Sequence, residues 1–204
     1  MKKTNVLIHA PESIKDVQYV CGLDEVGRGC FAGPVVTAGV ILPKDFYSPL
    51  LRDSKKLSEA QRKKAYDLII ENALFYSIEA VSAKEINTLG INPSTFKAMN
   101  KCIDNLGVEP EYLLIDGTQW DGYKDIPYFC VPKGDDTYLS IAAASILAKV
   151  RRDEYMVKVS SIHPEYNFQN NKGYYCKKHG EGILEHGITN YHRTQYVNTW
   201  LKKQ

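Results

Sequence analysis

The chain has 204 residues, 44% of them hydrophobic and 25% charged, the composition of a globular protein long enough to bury a sizeable core. With 26 basic against 24 acidic side chains the formal charge is only +2, which excludes attachment to a polyanion by bulk charge, so any nucleic-acid surface has to come from local clusters. No segment reaches transmembrane length, the apolar run at residues 6–8 is too short for a signal-peptide core, and five cysteines without a CxxC pair suit reduced thiols. A cytoplasmic, membrane-free monomer is expected.

In chain order, QYVCGLD reads as a strand ending at Asp24. PVVTAGVIL, bounded by Pro34 and Pro43 and rich in β-branched residues, reads as a second strand, and the two form a hairpin around the loop GRGCFAG. Ser58 and Gln61 make a capping box for a helix with Ala65, Leu68, Ile69 and Ala73 on one face. FYSIEAV is a third strand. Asn92 before Pro93 starts another helix, in which Phe96, Met99, Ile103 and Leu106 recur at helical spacing until Gly107. EYLLIDG and IPYFCV are short strands with acidic residues just beyond their ends. From Thr137 to about Ser160 the chain is alanine-rich, free of Pro and Gly, and periodic in Leu139, Ala143, Ile146 and Val150, which predicts a helix over that span. After Pro164 it is polar, aromatic and weakly periodic, the composition of a functional surface rather than of core. The alternation of strands and helices makes the class α/β, with no linker or repeat to divide the chain.

Three strands thus finish in carboxylates: Asp24 with Glu25, Asp116, and Asp135 with Asp136. Each fits an ordinary turn, since DG and GDD are turn signals. In an α/β sheet the same residues can also meet at one edge. If three or four did, their mutual repulsion would call for a cation, and an all-oxygen ligand set selects Mg²⁺ or Mn²⁺. Two such ions are the usual machinery for attack on a phosphodiester. The glycine loop is one residue off the dinucleotide fingerprint, which leaves a nucleotide-cofactor oxidoreductase as an alternative. Against it, a strand rather than a helix follows the loop, and Asp24 and Glu25 would repel a pyrophosphate.

Read jointly, GLDEVGRGCFAGPVV, SKKLS, YLLIDG, KGD, SIAAASILAKVRRDEYM, NKGY and HGITNYHR resemble bacterial ribonuclease HII, in that family's order from about residue 19 to 196. The resemblance implies a ribonuclease H-like fold, a central mixed five-stranded sheet flanked by helices with a small helical C-terminal region. It implies a single catalytic domain over residues 1–204, with residues 164–204 touching substrate. The implied activity is endonucleolytic hydrolysis of the RNA strand of RNA/DNA hybrids, and cutting 5′ of single ribonucleotides in duplex DNA to leave 3′-OH and 5′-phosphate ends. Carried over by position, Asp24, Glu25, Asp116 and Asp135 would bind two Mg²⁺ or Mn²⁺ ions. Gly27, Arg28 and Gly29 would contact the 2′-hydroxyl, and Tyr174 would pack on the neighbouring deoxyribose. Lys55, Lys56, Ser140, Ser145, Lys149 and Arg152 would hold phosphates, although Ser145 within AAASILA reads equally well as a helix-packing residue.

The carry-over has gaps. The family's GRGP is GRGC here, at Cys30. Its VVKGD is VPKGD, and Pro132 points to an edge strand. Its NI is Gly90 and Ile91, which leaves a substrate contact there without a residue. No clear sliding-clamp motif follows Arg193, and the 23 residues before Asp24 leave no room for the extra domain of ribonuclease HIII. Cys176, His179, His186 and His192 have no standard zinc spacing. The basic clusters alone would also allow a non-catalytic hybrid-binding module, whose signature would be a lost carboxylate.

Overall fold

A computed structural model describes residues 7–52 and 54–204. Five strands, β1 Val20–Val26, β2 Val35–Ile41, β3 Phe75–Val81, β4 Tyr112–Asp116 and β5 Tyr128–Val131, form one sheet in the order β3-β2-β1-β4-β5. The first three make an antiparallel meander, and β4 and β5 add in parallel to β1. The expected hairpin is present, with Val26 opposite Val36 across the glycine loop. Parallel pairing of β1 with β4 needs a crossover, and the helices between β3 and β4 supply it.

Seven α-helices are present among the described residues: α1 Glu59–Asn72, α2 Ala83–Leu89, α3 Ile91–Asp104, α4 Leu139–Ile162, α5 Phe168–Asn171, α6 Lys177–His186 and α7 Thr194–Leu201. The Ser58–Gln61 capping box forms in both directions at α1. Helix α2 was not expected, although Ser82 and Glu85 carry the same signal and form the same box. Helix α3 begins at Ile91, with Pro93 in its first turn, and the chain turns at Gly107 with φ +87°.

Strand alternation decides the two cores. Cys21 and Leu23 of β1 pack with Met99, Cys102 and Ile103 of α3. Val36, Ala38 and Val40 of β2 pack on the other face with Ala65 and Ile69 of α1 and the alanines of α4. The small residues of α4 let it lie directly on β1, so closely that a Cβ at Gly22 would strike the backbone of Ser140 and Ile141.

The segment after Pro164 departs from its reading as surface. Tyr166, Phe168, Ile183 and Val197 form a third buried cluster with Met156 and Val159 of α4 and Ala32 of the glycine loop. Its periodicity was hidden because short helices and aromatic anchors replace a regular aliphatic stripe. Strand β5 lies at the sheet edge with Pro132 just beyond it, as that proline implied. No helix among the described residues is long and apolar enough to cross a membrane.

Candidate active site

Because β1, β4 and β5 run parallel, their C-terminal ends share one edge of the sheet. Asp24 and Glu25 stand near the end of β1, and Asp116 closes β4. Asp135 sits in the 3₁₀ turn Gly134–Asp136 that follows β5, 8% exposed. The amide of Gly134 in that turn donates to Asp116 Oδ1 at 2.7 Å, which ties the turn to the end of β4. The expected convergence of strand ends is therefore a property of the topology, and the DG and GDD sequences serve as turns within it.

The first three stand close enough to repel one another. Burial holds the Asp24 carboxyl well above the ordinary carboxylate range, and the charges of Glu25 and Asp116 push it further, while a hydrogen bond from Ser145 opposes them. Burial raises Glu25 to about 7, with Arg28 opposing and Asp116 adding to the rise. Burial also raises Asp116, against the Gly134 amide and the nearby charge of Lys55. These are like charges kept close in a poorly solvated place, which a cation would relieve. The oxygen-only donor set suits a hard divalent ion. Among the described residues no three His, Cys, Asp or Glu side chains already stand in ion-holding geometry.

The loop after β1 flanks this edge and leads directly into β2, as the strand reading required and a dinucleotide site would not. Arg28 is exposed, its NH1 lying 3.7 Å from Glu25 and its NH2 donating to Asn92 at 2.7 Å. Asn92, expected only as a helix start, is thereby brought beside the loop. It lies two positions beyond Gly90, where the family pattern has asparagine, and only the fold brings it to Arg28. Gly27 has φ +94° and is packed against Arg152, whereas Gly29 is exposed with open space where a Cβ would be.

The residues expected to hold phosphates divide. Lys55 lies close enough to act on Glu25 and Asp116. Lys56 pairs with Asp136. Ser145 bonds to Ser54 at 3.0 Å and to Asp24, so it belongs to the site through a carboxylate. Lys149 pairs with Asp153 and lies 6.0 Å from the ring centre of the part-exposed Tyr174.

Two assignments need correction. Arg152 is 0% exposed, and its Nε, NH1 and NH2 donate to the carbonyls of Pro34, Lys172 and Ala32, so it braces the glycine loop and has no face for phosphate. Ser140 is 4% exposed against Gly22, in a small cleft with His9, Lys15 and Val20 near the start of β1, away from the acidic edge. Nothing in the sequence marks Arg193. Fully buried, it donates to the carbonyls of Gly33 and Arg28 and forms the second brace of the same loop. An arginine with its charge on backbone carbonyls looks in sequence like any surface arginine.

Comparison with known proteins agrees. The family model described as ribonuclease HII matches residues 21–199. A ribonuclease HII of Bacteroides thetaiotaomicron is 50% identical over 175 residues, 86% of this chain and 88% of that protein. The crystal structure of the ribonuclease H2 from Pyrococcus horikoshii OT3 superposes with TM-score 0.76 at 24% identity, covering 90% of this chain and 97% of that one. That of Bst-RNase HIII in complex with Mn²⁺ gives 0.64 at 19%, covering 96% and 75%. These two likenesses confirm the fold.

Proposed function

The chain belongs to the ribonuclease HII family and is a ribonuclease H, and from that premise we propose that it cuts duplex DNA 5′ of a single embedded ribonucleotide as well as the RNA strand of RNA/DNA hybrids, leaving 3′-OH and 5′-phosphate ends. The observation that carries this reading is the meeting, at one sheet edge, of three mutually repelling carboxylates with a loop whose Gly29 leaves room for a sugar.

Asp24, Glu25, Asp116 and Asp135 would hold Mg²⁺ or Mn²⁺, a choice supported by the ligand chemistry and by the Mn²⁺ complex of the ribonuclease HIII relative. Two such ions, when bound, supply activation of a water and charge stabilisation at the leaving 3′-oxygen. The protein's own groups orient the substrate. Backbone at Gly27, Arg28 and Gly29 approaches the 2′-hydroxyl, which only a ribose carries. Lys55 faces the phosphate beside the acids, and Lys149 adds charge near Tyr174. The Tyr174 ring, part exposed, packs on the deoxyribose next to the ribose. Residues 164–204 contribute to the substrate surface through Tyr174, within one catalytic domain. Recognition by sugar and backbone makes cutting indifferent to base sequence.

The test is to incubate a duplex containing one ribonucleotide with Mg²⁺ or Mn²⁺ and to map the product ends. Cuts on the 5′ side with 3′-OH and 5′-phosphate ends are expected. A cyclic-phosphate end or a cut on the 3′ side of the ribonucleotide would overturn the reading.

A further inference from the structure

Two buried histidines play no part in the chemistry above. His179 on α6 is 0% exposed, and His192, just before α7, is 1% exposed. Their Nε2 atoms lie 3.2 Å apart. His179 Nδ1 is 2.9 Å from the carbonyl oxygen of Tyr174, and His192 Nδ1 is 3.0 Å from the amide nitrogen of Thr189. A carbonyl only accepts, so His179 Nδ1 carries a hydrogen. An amide only donates, so His192 Nδ1 carries none. With one hydrogen per neutral ring, His192 Nε2–H must donate to His179 Nε2, and every nitrogen is then satisfied. The hydrogen bonds run in one direction, from Thr189 through both rings to Tyr174. Burial among Tyr166 and Phe168 keeps both rings neutral, lowering His179 and bringing His192 down to about 4.

The end of this chain is the residue that faces substrate. On its other side, the Gly173 carbonyl accepts from the amides of Phe31 and Ala32 in the glycine loop, at 2.9 and 3.1 Å. A Cβ at Gly173 would strike the Ala32 carbonyl, so the two segments are in direct backbone contact. The Tyr174 peptide is thus gripped from the glycine loop on one side and from the histidine pair on the other. We propose that His179 and His192 are positioning residues for Tyr174, holding its backbone so that its ring meets the sugar beside the ribose at a set distance from the Gly27–Gly29 backbone. The proposal rests on the reading of Tyr174 as the residue that senses the RNA-to-DNA step.

The experiment compares the cleavage rate of a single-ribonucleotide duplex with that of a long RNA/DNA hybrid in the wild type and in Tyr174→Ala, His179→Phe and His179→Asn. Phenylalanine keeps an aromatic ring but removes both the donor to Tyr174 and the acceptor for His192 Nε2–H, whereas asparagine returns an N–H near the place of Nδ1. Tyr174→Ala, which removes the ring, and His179→Phe, which removes the donor to the Tyr174 carbonyl and the acceptor for His192 Nε2–H, are each expected to lower the ratio of the two rates about tenfold, with His179→Asn recovering most of it. A ratio that falls in Tyr174→Ala but not in His179→Phe overturns the histidine proposal and leaves the tyrosine reading standing. An unchanged ratio in Tyr174→Ala removes that reading and the proposal with it. If His179→Phe does not fold, ¹⁵N spectra of the wild-type imidazoles decide the matter. At pH 7 the hydrogens are expected on His179 Nδ1 and His192 Nε2, and a hydrogen on His179 Nε2 instead would refute the arrangement.

Discussion

Gly27 rests against the guanidinium of Arg152 so closely that a Cβ there would run into Arg152 Nε and Cδ, while Gly29, two residues on, faces open space. The two glycines of one motif therefore answer to different demands. Gly27, at φ +94°, is required by the fold, and Gly29 leaves room that a substrate would use. Gly27→Ala should cost about 2 kcal/mol or more through clash and strained backbone. Gly29→Ala should leave stability within about 0.5 kcal/mol while slowing cleavage at a single ribonucleotide. Urea denaturation and the cleavage assay on both variants check the split, and equal effects of the two on stability would contradict it.

Arg152 makes a second, related prediction. Its three hydrogen bonds to Pro34, Lys172 and Ala32 leave buried carbonyls unpaired if the guanidinium is removed. Arg152→Lys cannot reproduce that fork, so a loss of about 2–4 kcal/mol is expected in denaturant unfolding. The salt dependence of substrate affinity should keep its slope in this variant, because the residue neutralises no phosphate. A slope reduced by about one would restore Arg152 to the phosphate contacts.

Asp24 carries a cost to the fold. Its carboxyl is buried beside Glu25 and Asp116, and a neutral side chain of the same shape keeps its hydrogen-bond geometry without the repulsion. In EDTA, Asp24→Asn should be more stable than wild type by about 1–2 kcal/mol, a rise of roughly 2–8 °C in Tm for a chain of this size. Adding Mn²⁺ should raise the wild-type Tm and narrow or reverse the gap. Because Glu25 titrates near 7, Mn²⁺ binding to the wild type should weaken as pH falls below that value, a trend that calorimetry across pH 6–8 would follow.

The histidine pair predicts how stability depends on pH. Unfolded His192 takes up a proton near its ordinary value of 6.5, whereas the folded residue resists until about 4, chiefly through burial and secondarily through His179; His163 and Glu165 also bear on it. Between those values the unfolded state binds more protons, so the contribution of His192 is complete above 6.5 and is lost as pH drops towards 4. The stability difference between wild type and His192→Gln should shrink by on the order of 2–3 kcal/mol across that window. A difference independent of pH would show that His192 is not held neutral.

The sheet strands, the capped helix α1 and the long helix α4 were legible in the sequence because their signals are local: alternation, a capping box, an alanine-rich period. The carboxylates were legible as strand-end residues, and their meeting followed once β4 was known to run parallel to β1. Three-dimensional partnership was not legible. Arg152 and Lys149 look alike in the sequence and both stand by the Tyr174 ring, yet one is buried on carbonyls and the other pairs with Asp153. Ser140 and Ser145 lie five residues apart on one helix and face different ends of β1. Nor were the partners of Asn92 and Arg193 legible, whose contacts span 64 and 165 residues of chain.

The most direct test of the carboxylate assignment is the cleavage of a duplex carrying one ribonucleotide by the wild type and by Asp24→Asn, each with Mg²⁺ or Mn²⁺ and then with EDTA. Cutting by the wild type that needs the ion, and a loss of at least about a thousandfold in the folded Asp24→Asn variant, is the expected result. Undiminished cutting by Asp24→Asn, or an intact duplex with the wild type under both ions, would contradict it.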